Sequence, residues 1–443
     1  MARREQTPHD FTIEKAQIFS EKFVDQDNAK MNIQNLITDL EIFEHLDKPY
    51  LTASLAFLDQ EDIFNIIDFA GGEKIELEIK LPGLDTISVS KIFVIEKVLK
   101  NIKNNDSTAV VVLHLIELHA FESKLINVNK AYTGKPVEII QKIIKDNLRR
   151  EFTTVGNDYQ SPMRVIIPNM KPIDAAMWIR NRASANIGVP YFFFSTLANE
   201  KLHIISLEDM LTKQYDLGEY RYSQSATQWA ASQTAEEQSY IIQWYSARNT
   251  DEIITFVEKG LVGARYRFYD TMLGRPNSDV KFNIKEILDQ LKGNSIISQD
   301  QNKLSYSDAF KLNEIPFNEL ASRDITQVVS TAVYDDYYTY SEETDASGHK
   351  QKITLEAIKN FLVRNVMDVA LPGKNFLNGN YSSTIGNQIN LTFLKNDAIN
   401  LKSPDYYDIK TSGRYLIYSL KHSFKRERYD VIASCVKLGD KNE

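Results

Sequence analysis

Histidine, cysteine and carboxylate side chains carry most catalytic and metal chemistry, so their spacing is read first. His114 and His119 are five residues apart on a stretch with strand-like alternation. Side chains on a strand alternate between its faces, so these two point to opposite sides and cannot jointly hold a metal from that strand. Asp335 and Asp336 are adjacent, which also splits them across faces if the chain there is extended. A glycosidase needs two carboxylates set on opposite sides of a sugar at a defined separation, and the spacing names no such pair. The segment YDDYYTYSEETDASG, from Tyr334 to Gly348, carries oxygen ligands of the kind calcium takes, but not at the spacing of an EF-hand loop. A solvated acidic loop is the plainer reading. Its tyrosines offer faces for stacking on a glycan, and equally the side chains preferred at protein interfaces. Cys435 and His422 together would make a nucleophile and base, against the plainer reading of a buried strand cysteine. HExxH, GxSxG, the Walker A loop and GxGxxG are all absent. The sequence therefore assigns no catalytic residue, no cofactor-binding residue and no metal ligand. No cofactor and no enzymatic activity are expected.

Composition narrows the class further. The 443 residues are 43% hydrophobic and 25% charged, an ordinary globular balance, and the length suggests about three domains. Tyr and Phe number 22 each, which leans toward sheet and toward interfaces. The net charge of −8 gives no footprint for nucleic-acid binding. A single cysteine, Cys435, rules out a disulfide within the chain and any cysteine-based zinc site. The opening MARREQTPHD lacks the apolar run of a secretory signal. No apolar run approaches the roughly 18 residues of a spanning helix. A protein assembled in the cytosol, without stable membrane association, is expected.

The elements that would position any site fall into two periods. In GGEKIELEIKLPG, Ile75, Leu77 and Ile79 share one face while Glu76, Glu78 and Lys80 share the other, the pattern of a strand with one buried side. A long hairpin is expected from Lys91 to Phe121, turning near Asn104 to Asp106. The middle changes period. In KPVEIIQKIIKDNLRR, Val137, Ile140, Ile144 and Leu148 recur at helical spacing, with Pro136 suited to the first turn. KPIDAAMWIRNRASANIGVP reads as a second helix from Pro172 to Gly188. YFFFSTLANEKLHIISL reads as a hairpin turning at Ala198 and Asn199. Ser223 to Gln238 reads as a connector. Strand pattern returns from Ser239 to Asp270, a helix is expected near Ile284 to Lys292, and another begins near Thr354. NVMDVALPG fits either period, and the Pro372-Gly373 that follows favours a strand. The chain ends on GRYLIYSLKHSFKRERYDVIASCVKL, a hairpin with the basic tip Lys425 to Arg428. That tip is either a solvated turn or a contact for an acidic partner.

The terminal hairpin has a counterpart. Gly72 is followed by EKIELEIK and then KIFVIEKVLKNIKNNDSTAVVVLHLIEL; Gly386 is followed by NQINLTFL and then the terminal hairpin. Both copies run Gly-x-x-Ile-x-Leu-x-apolar, loop, strand, polar turn, strand, and Phe93-Val94-Ile95 aligns with Tyr415-Leu416-Ile417. Any two hairpins share some of this, so strand order must separate coincidence from duplication. The reading is α+β, mainly β: two similar antiparallel β-barrel domains with α/β insertions. Expected boundaries are 1–124 for the first barrel and 125–238 for the α/β domain. The second barrel would take 239–275 with 365–443, and 276–364 would be an inserted region with a helix.

These segments, together with IPNMKPIDAAMWIRNRA, GVPYFFFS, IIQWYSARNTDEIITFVEKGLVGARYRFYD and TLEAIKNFLVRN, resemble the baseplate central hub subunit of T-even-like contractile-tailed bacteriophages. The resemblance spans roughly Asn32 to Leu438 and is poor from Asn277 to His349. It implies a non-enzymatic virion protein of the tail baseplate, assembled in the host cytoplasm. It implies a homotrimer whose paired barrels present six near-equivalent units, matching a threefold cell-puncturing spike to a sixfold tail tube. The implied partners are the trimeric spike protein, tail tube or tube-initiator proteins, the tape-measure protein and the baseplate wedge. DNA would only pass through the lumen. By this resemblance Lys91 to Leu118 and Arg414 to Leu438 shape the ring. The alternatives are a spike-complex scaffold of a phage-like contractile injection or secretion system, a baseplate-borne cell-wall hydrolase, or a glycan-binding tail protein.

Overall fold

Alternating sequence builds the first half of the molecule. Strands β1 (Thr12–Phe19), β2 (Lys30–Asn32), β3 (Ile37–His45), β4 (Thr52–Asp59), β5 (Lys74–Lys80), β6 (Ser88–Asn105) and β7 (Thr108–Glu117) turn alternate side chains toward one core, except in the far half of β6, where Leu99 to Lys103 are exposed. On β4, Ala53, Leu55 and Phe57 are fully buried, and on β5, Ile75, Leu77 and Ile79 are buried. The order is β3-β4-β7-β6-β5-β1-β2, antiparallel throughout. A 3-10 turn, Gln34–Leu36, carries β2 back to β3 and closes the sheet into a barrel. A short helix α1 (Ile63–Ile67) follows β4. Its first amides, of Ile63 and Phe64, donate to the Asp59 carboxylate at 2.8 and 2.9 Å, satisfying donors that a helix start leaves free.

The computed structural model describes residues 7–20, 30–67, 69–81, 88–105, 107–155, 162–185, 188–212, 216–222, 234–249, 253–270, 275–284, 286, 311–312, 314–316, 324–329, 334–335, 345–363, 365–377, 384–395, 407–408, 411–426 and 428–440. Most of the expected connector Ser223 to Gln238 and of the helix expected at Ile284 to Lys292 lies outside these residues, as do residues 336–344.

The long hairpin ends earlier than its sequence suggests. β7 stops at Glu117, and helix α2 (Leu118–Leu125) takes over. Leu118 and Phe121, spaced three apart, both pack on the core, which is a helical spacing. His119 therefore stands on a helix, away from the strand that carries His114.

The α/β block follows: β8 (Ala131–Gly134), α3 (Pro136–Leu148), β9 (Phe152–Val155), β10 (Met163–Ile166), α4 (Pro172–Arg180), β11 (Ser184–Ala185), β12 (Val189–Phe194), β13 (Leu202–Ser206) and α5 (Leu207–Thr212). The periodic face of α3 is buried at Val137, Ile140, Ile144 and Leu148. Glu138 accepts from the Lys135 amide at 3.2 Å, and Arg149 ends the helix at φ +51°. α4 stops at Arg180, well short of Gly188. Two tight turns replace it, Arg182 N to Ile179 O (2.8 Å) and Ala183 N to Arg180 O (3.0 Å), and β11 then pairs back onto β12. Every residue of β12, VPYFFF, is buried, because helices cover one face and the barrel side the other. Strands covered on both faces lose alternation.

The remaining strands are β14 (Asp216–Tyr222), β15 (Ile241–Ile242), β16 (Trp244–Asn249), β17 (Gly263–Asp270), β18 (Arg275–Asn283), β19 (Lys311–Leu312), β20 (Ile315–Pro316), β21 (Asp324–Val329), β22 (Tyr334–Asp335), β23 (Asn365–Pro372), β24 (Gln388–Thr392), β25 (Gly413–Lys425) and β26 (Arg428–Asp440). A helix, Asp345–Leu362, precedes β23. It begins nine residues before Thr354, and the ambiguous NVMDVALPG is the strand β23. Two segments sit apart from their expected places. β14, from the stretch read with the α/β block, pairs with β24 and β15 in the second barrel. β17, read with the second barrel, pairs with β18 and β21 in a separate sheet. Alternation is the same in any sheet, so it does not say which neighbour a strand takes.

The second barrel runs β16-β23-β26-β25-β24-β14-β15, the order of the first barrel strand for strand. Register matches as well. Gly72 (φ +97°) donates to Ile95 O at 2.9 Å and Ile95 N donates to Glu73 O at 2.8 Å; Gly386 (φ +81°) donates to Ile417 O at 2.9 Å and Ile417 N donates to Asn387 O at 3.0 Å. Ile75 faces Phe93, and Ile389 faces Tyr415. A register shift follows Ile95 in β6 and Ile417 in β25. The halves differ at β14, which runs parallel to β24 and β15, where β1 runs antiparallel to β5 and β2. The fold is mainly β, with two similar barrels and α/β material set between and within them.

Candidate functional site

The two barrels are one 14-stranded sheet, and the strand pair that joins them is the feature most able to carry function. β25 pairs with β26 along one edge. On its other edge it pairs with β24 from Gly413 to Leu416, then with β3 of the first barrel from Ser419 to Lys425. Ser423 faces Glu41, His422 faces Ile42 and Phe424 faces Leu40. The ladder continues to Leu46, whose amide donates to Tyr418 O at 2.9 Å.

On the outer face of this joint, the basic tip meets carboxylates. Lys421 Nζ lies 2.7 Å from Glu41 Oε1, and Lys425 Nζ lies 3.0 Å from Glu41 and 2.8 Å from Asp39. Partial burial raises the Glu41 carboxyl, but hydrogen bonds from Lys421 and Lys425 outweigh it and hold it below its ordinary value. The acidic partner of the tip is thus β3 of the same chain. A shallow cavity of about 430 Å³ opens on this face, lined by Phe43, Lys421, Arg248 and Asp368 among others. Lys421 and Arg248 already have carboxylate partners there, Arg248 being 2.5 Å from Asp368.

On the inner face two buried carboxylates fasten the β12–β13 turn of the α/β block to the barrels. Glu44 Oε1 accepts from Leu197 N at 2.6 Å and lies 3.1 Å from His422 Nε2; His422 Nδ1 lies 2.8 Å from the Tyr429 hydroxyl. Burial, then the Glu44 and Asp430 charges, push Tyr429 well above its ordinary value, so it keeps its proton. Nε2–H donates to the Glu44 carboxylate, and Nδ1 shares its hydrogen bond with the Tyr429 hydroxyl. Glu117 accepts from Leu51 N at 2.8 Å and Ser195 Oγ at 2.9 Å, with Lys91 Nζ at 3.3 Å. Burial would raise Glu117, but the facing charges and these donors hold it down to about 2. Lys91 also donates to Asn199 O at 2.8 Å. His119 faces Pro49 O at 2.6 Å, and burial lowers its affinity for a second proton. His119, whose Nδ1 lies 3.7 Å from Glu117, and Lys91 are the facing charges that hold Glu117 down. Each buried charge has partners, as burial requires.

The residues weighed for chemistry do not converge. His422 is engaged by Glu44 and Tyr429, and burial pushes the Cys435 thiol up, so they form no nucleophile and base. His114 sits 2.7 Å from Glu96, and His119 is buried on α2. Asp335 lies on β22, opposite Arg164. Among the described residues, no three His, Cys, Asp or Glu side chains gather as a metal site would need. The buried clamp escaped the sequence reading, although a signal was there. Glu44 follows Leu40 and Ile42 on the inward phase of β3, and Lys91 follows Val89 on that of β6.

The chain has the fold of known tail proteins. It is similar over 97% of its length to 97% of a tail protein from Neisseria meningitidis MC58, with a TM-score of 0.52 and 10% identity. It is similar over 96% of its length to 98% of the 43 kDa tail protein of prophage MuSo2 from Shewanella oneidensis, with a TM-score of 0.51 and 10% identity. No protein-family model and no curated protein sequence matches it. At this identity the likeness establishes the fold, from end to end of the chain.

Proposed function

We propose that this chain is the central hub subunit of a contractile tail baseplate, a structural protein that forms a homotrimeric ring. The observation that carries the reading is the register-matched pair of barrels fused edge to edge through β3 and β25. Two equivalent units per chain let three chains present six. One end of the ring would seat the trimeric cell-puncturing spike and the other the sixfold tail tube or its initiator. The tape-measure protein and DNA would pass through the lumen, and the baseplate wedge would pack outside. The likeness to the two tail proteins supports the tail setting, and the clamp of Glu44 and Glu117 supports a rigid ring element over a catalytic one. The reading is tested by native mass measurement of the purified chain across a wide concentration range. A trimer is expected. A strict monomer, both alone at high concentration and with its spike, overturns the proposal.

A further inference from the structure

The charges of the clamp are matched, but under the helix Asp345–Leu362 the balance fails. That helix packs on β12. Beside it Arg180 of α4, only 4% exposed, pairs through one terminal guanidinium nitrogen with Asp47 of the β3–β4 turn. Arg180 Nε is buried and has no hydrogen-bond partner among the described residues. Lys359, in the last turn of the helix, belongs to the same cluster. Its ammonium lies 5.7 Å over the Phe192 ring, and among the described residues it makes no ion pair and no hydrogen bond. Burial, then the Arg180 charge, pull Lys359 down to about 8, and Asp47 opposes them only in part. Tyr418, its ring 6.4 Å from that of Phe192, is pushed up to about 12 by burial and then by Asp47, so its hydroxyl stays a donor. Two cations therefore share one carboxylate. A buried charge without a partner is costly, and an unsatisfied buried donor calls for an explanation such as a bound ion.

We infer that this cluster is a binding site for one small inorganic oxyanion of the phosphate class, held by Arg180 and Lys359. An anion there cancels the surplus positive charge and gives Arg180 Nε the acceptor it lacks. A guanidinium is a planar fork of donors, so one edge can serve Asp47 while the Nε side serves an oxyanion. Lys359 supplies a second charged donor, and the Tyr418 hydroxyl a neutral one. The ligand is a free ion because Arg180 lies too deep for a partner's side chain, whereas Lys359 is only partly buried and leaves a way in. Bound there, the ion ties α4 of the α/β block to the helix that leads into β23 of the second barrel.

Inorganic phosphate is the probe, titrated by calorimetry into the full chain at neutral pH, with chloride holding the ionic strength constant. Saturable binding of one phosphate per chain is expected, with a higher melting temperature in phosphate than in chloride. Lys359→Met leaves the Arg180–Asp47 pair in place and removes one charge-assisted hydrogen bond, so it should weaken phosphate binding about tenfold or more. It also removes a buried charge that has no ion pair, so in chloride it should melt no lower than the wild-type chain. That melt shows that the variant is folded. Lys359→Arg, which keeps the charge, should retain binding. A wild-type chain that binds no phosphate overturns the inference, as does a Lys359→Met chain that binds it as tightly as the wild type. A Lys359→Met chain that melts well below the wild type in chloride also overturns it, because the ammonium is then already satisfied. None of these outcomes bears on the hub reading.

Discussion

Gly72 and Gly386 occupy the same point of two barrels, each with positive φ and each bonded to the isoleucine that precedes a register shift. The equivalence extends to consequence. A side chain at such a φ is strained whatever space surrounds it, by about 1–2 kcal/mol. Gly72→Ala and Gly386→Ala should therefore each lower stability by that amount, with the urea midpoint shifted and the slope unchanged. A change at one site that costs nothing would break the equivalence.

The Glu117–Lys91 pair is buried, and its partners are fixed. Removing one member leaves the other charged and unpaired, at a cost of about 3–5 kcal/mol. Glu117→Gln and Lys91→Met should each be severely destabilising, and the double variant much less so than their sum. Additive losses in a denaturant-based double-mutant cycle would show that the two do not act as a pair.

Acid should loosen the molecule in two ranges. His203 is fully buried against Phe194, without a hydrogen-bond partner among the described residues. Burial, then the Lys91 charge, lowers it from 6.5 to about 4. The unfolded chain binds this proton first, so stability present above 6.5 is lost as pH falls toward 4. Glu117, lowered from 4.5 to about 2, contributes stability above 4.5 that is lost between there and 2, on the order of 3 kcal/mol. His203→Phe should shrink the upper range, to which the buried His119 and the partly buried His45 also contribute, and leave the lower. Equilibrium unfolding at stepped pH reads both.

β25 belongs to both barrels, so the C-terminal hairpin is no dispensable tail. A chain ending at Ser412 loses β25 and β26 together, so β3, β24 and β23 each lose a partner, and the β3 edge is left open to aggregation. It should fail to assemble and should precipitate on expression. A soluble, ring-forming truncation by size and electron microscopy would refute the role given to the joint.

Much of this molecule was legible in one dimension because its signals are local. Alternation at Ile75, Leu77 and Ile79 marks a half-buried strand wherever that strand goes, since the pleat has a period of two. The spacing of Val137, Ile140, Ile144 and Leu148 marks α3, and Gly72 with Gly386 marks the duplication. The ends of α4 and β7 were less legible: tight turns follow Arg180, whose guanidinium pairs with Asp47 far off in the chain, and Glu117 is held by Leu51 and Ser195 where α2 begins. The sheet assignments of β14 and β17 left no local trace at all. Nor did the pairing of β25 with β3, which unites residues nearly a chain length apart. Period and propensity belonged to the sequence alone. The choice of neighbour belonged to the tertiary structure, because a strand edge accepts any complementary edge and only packing of the whole core selects one.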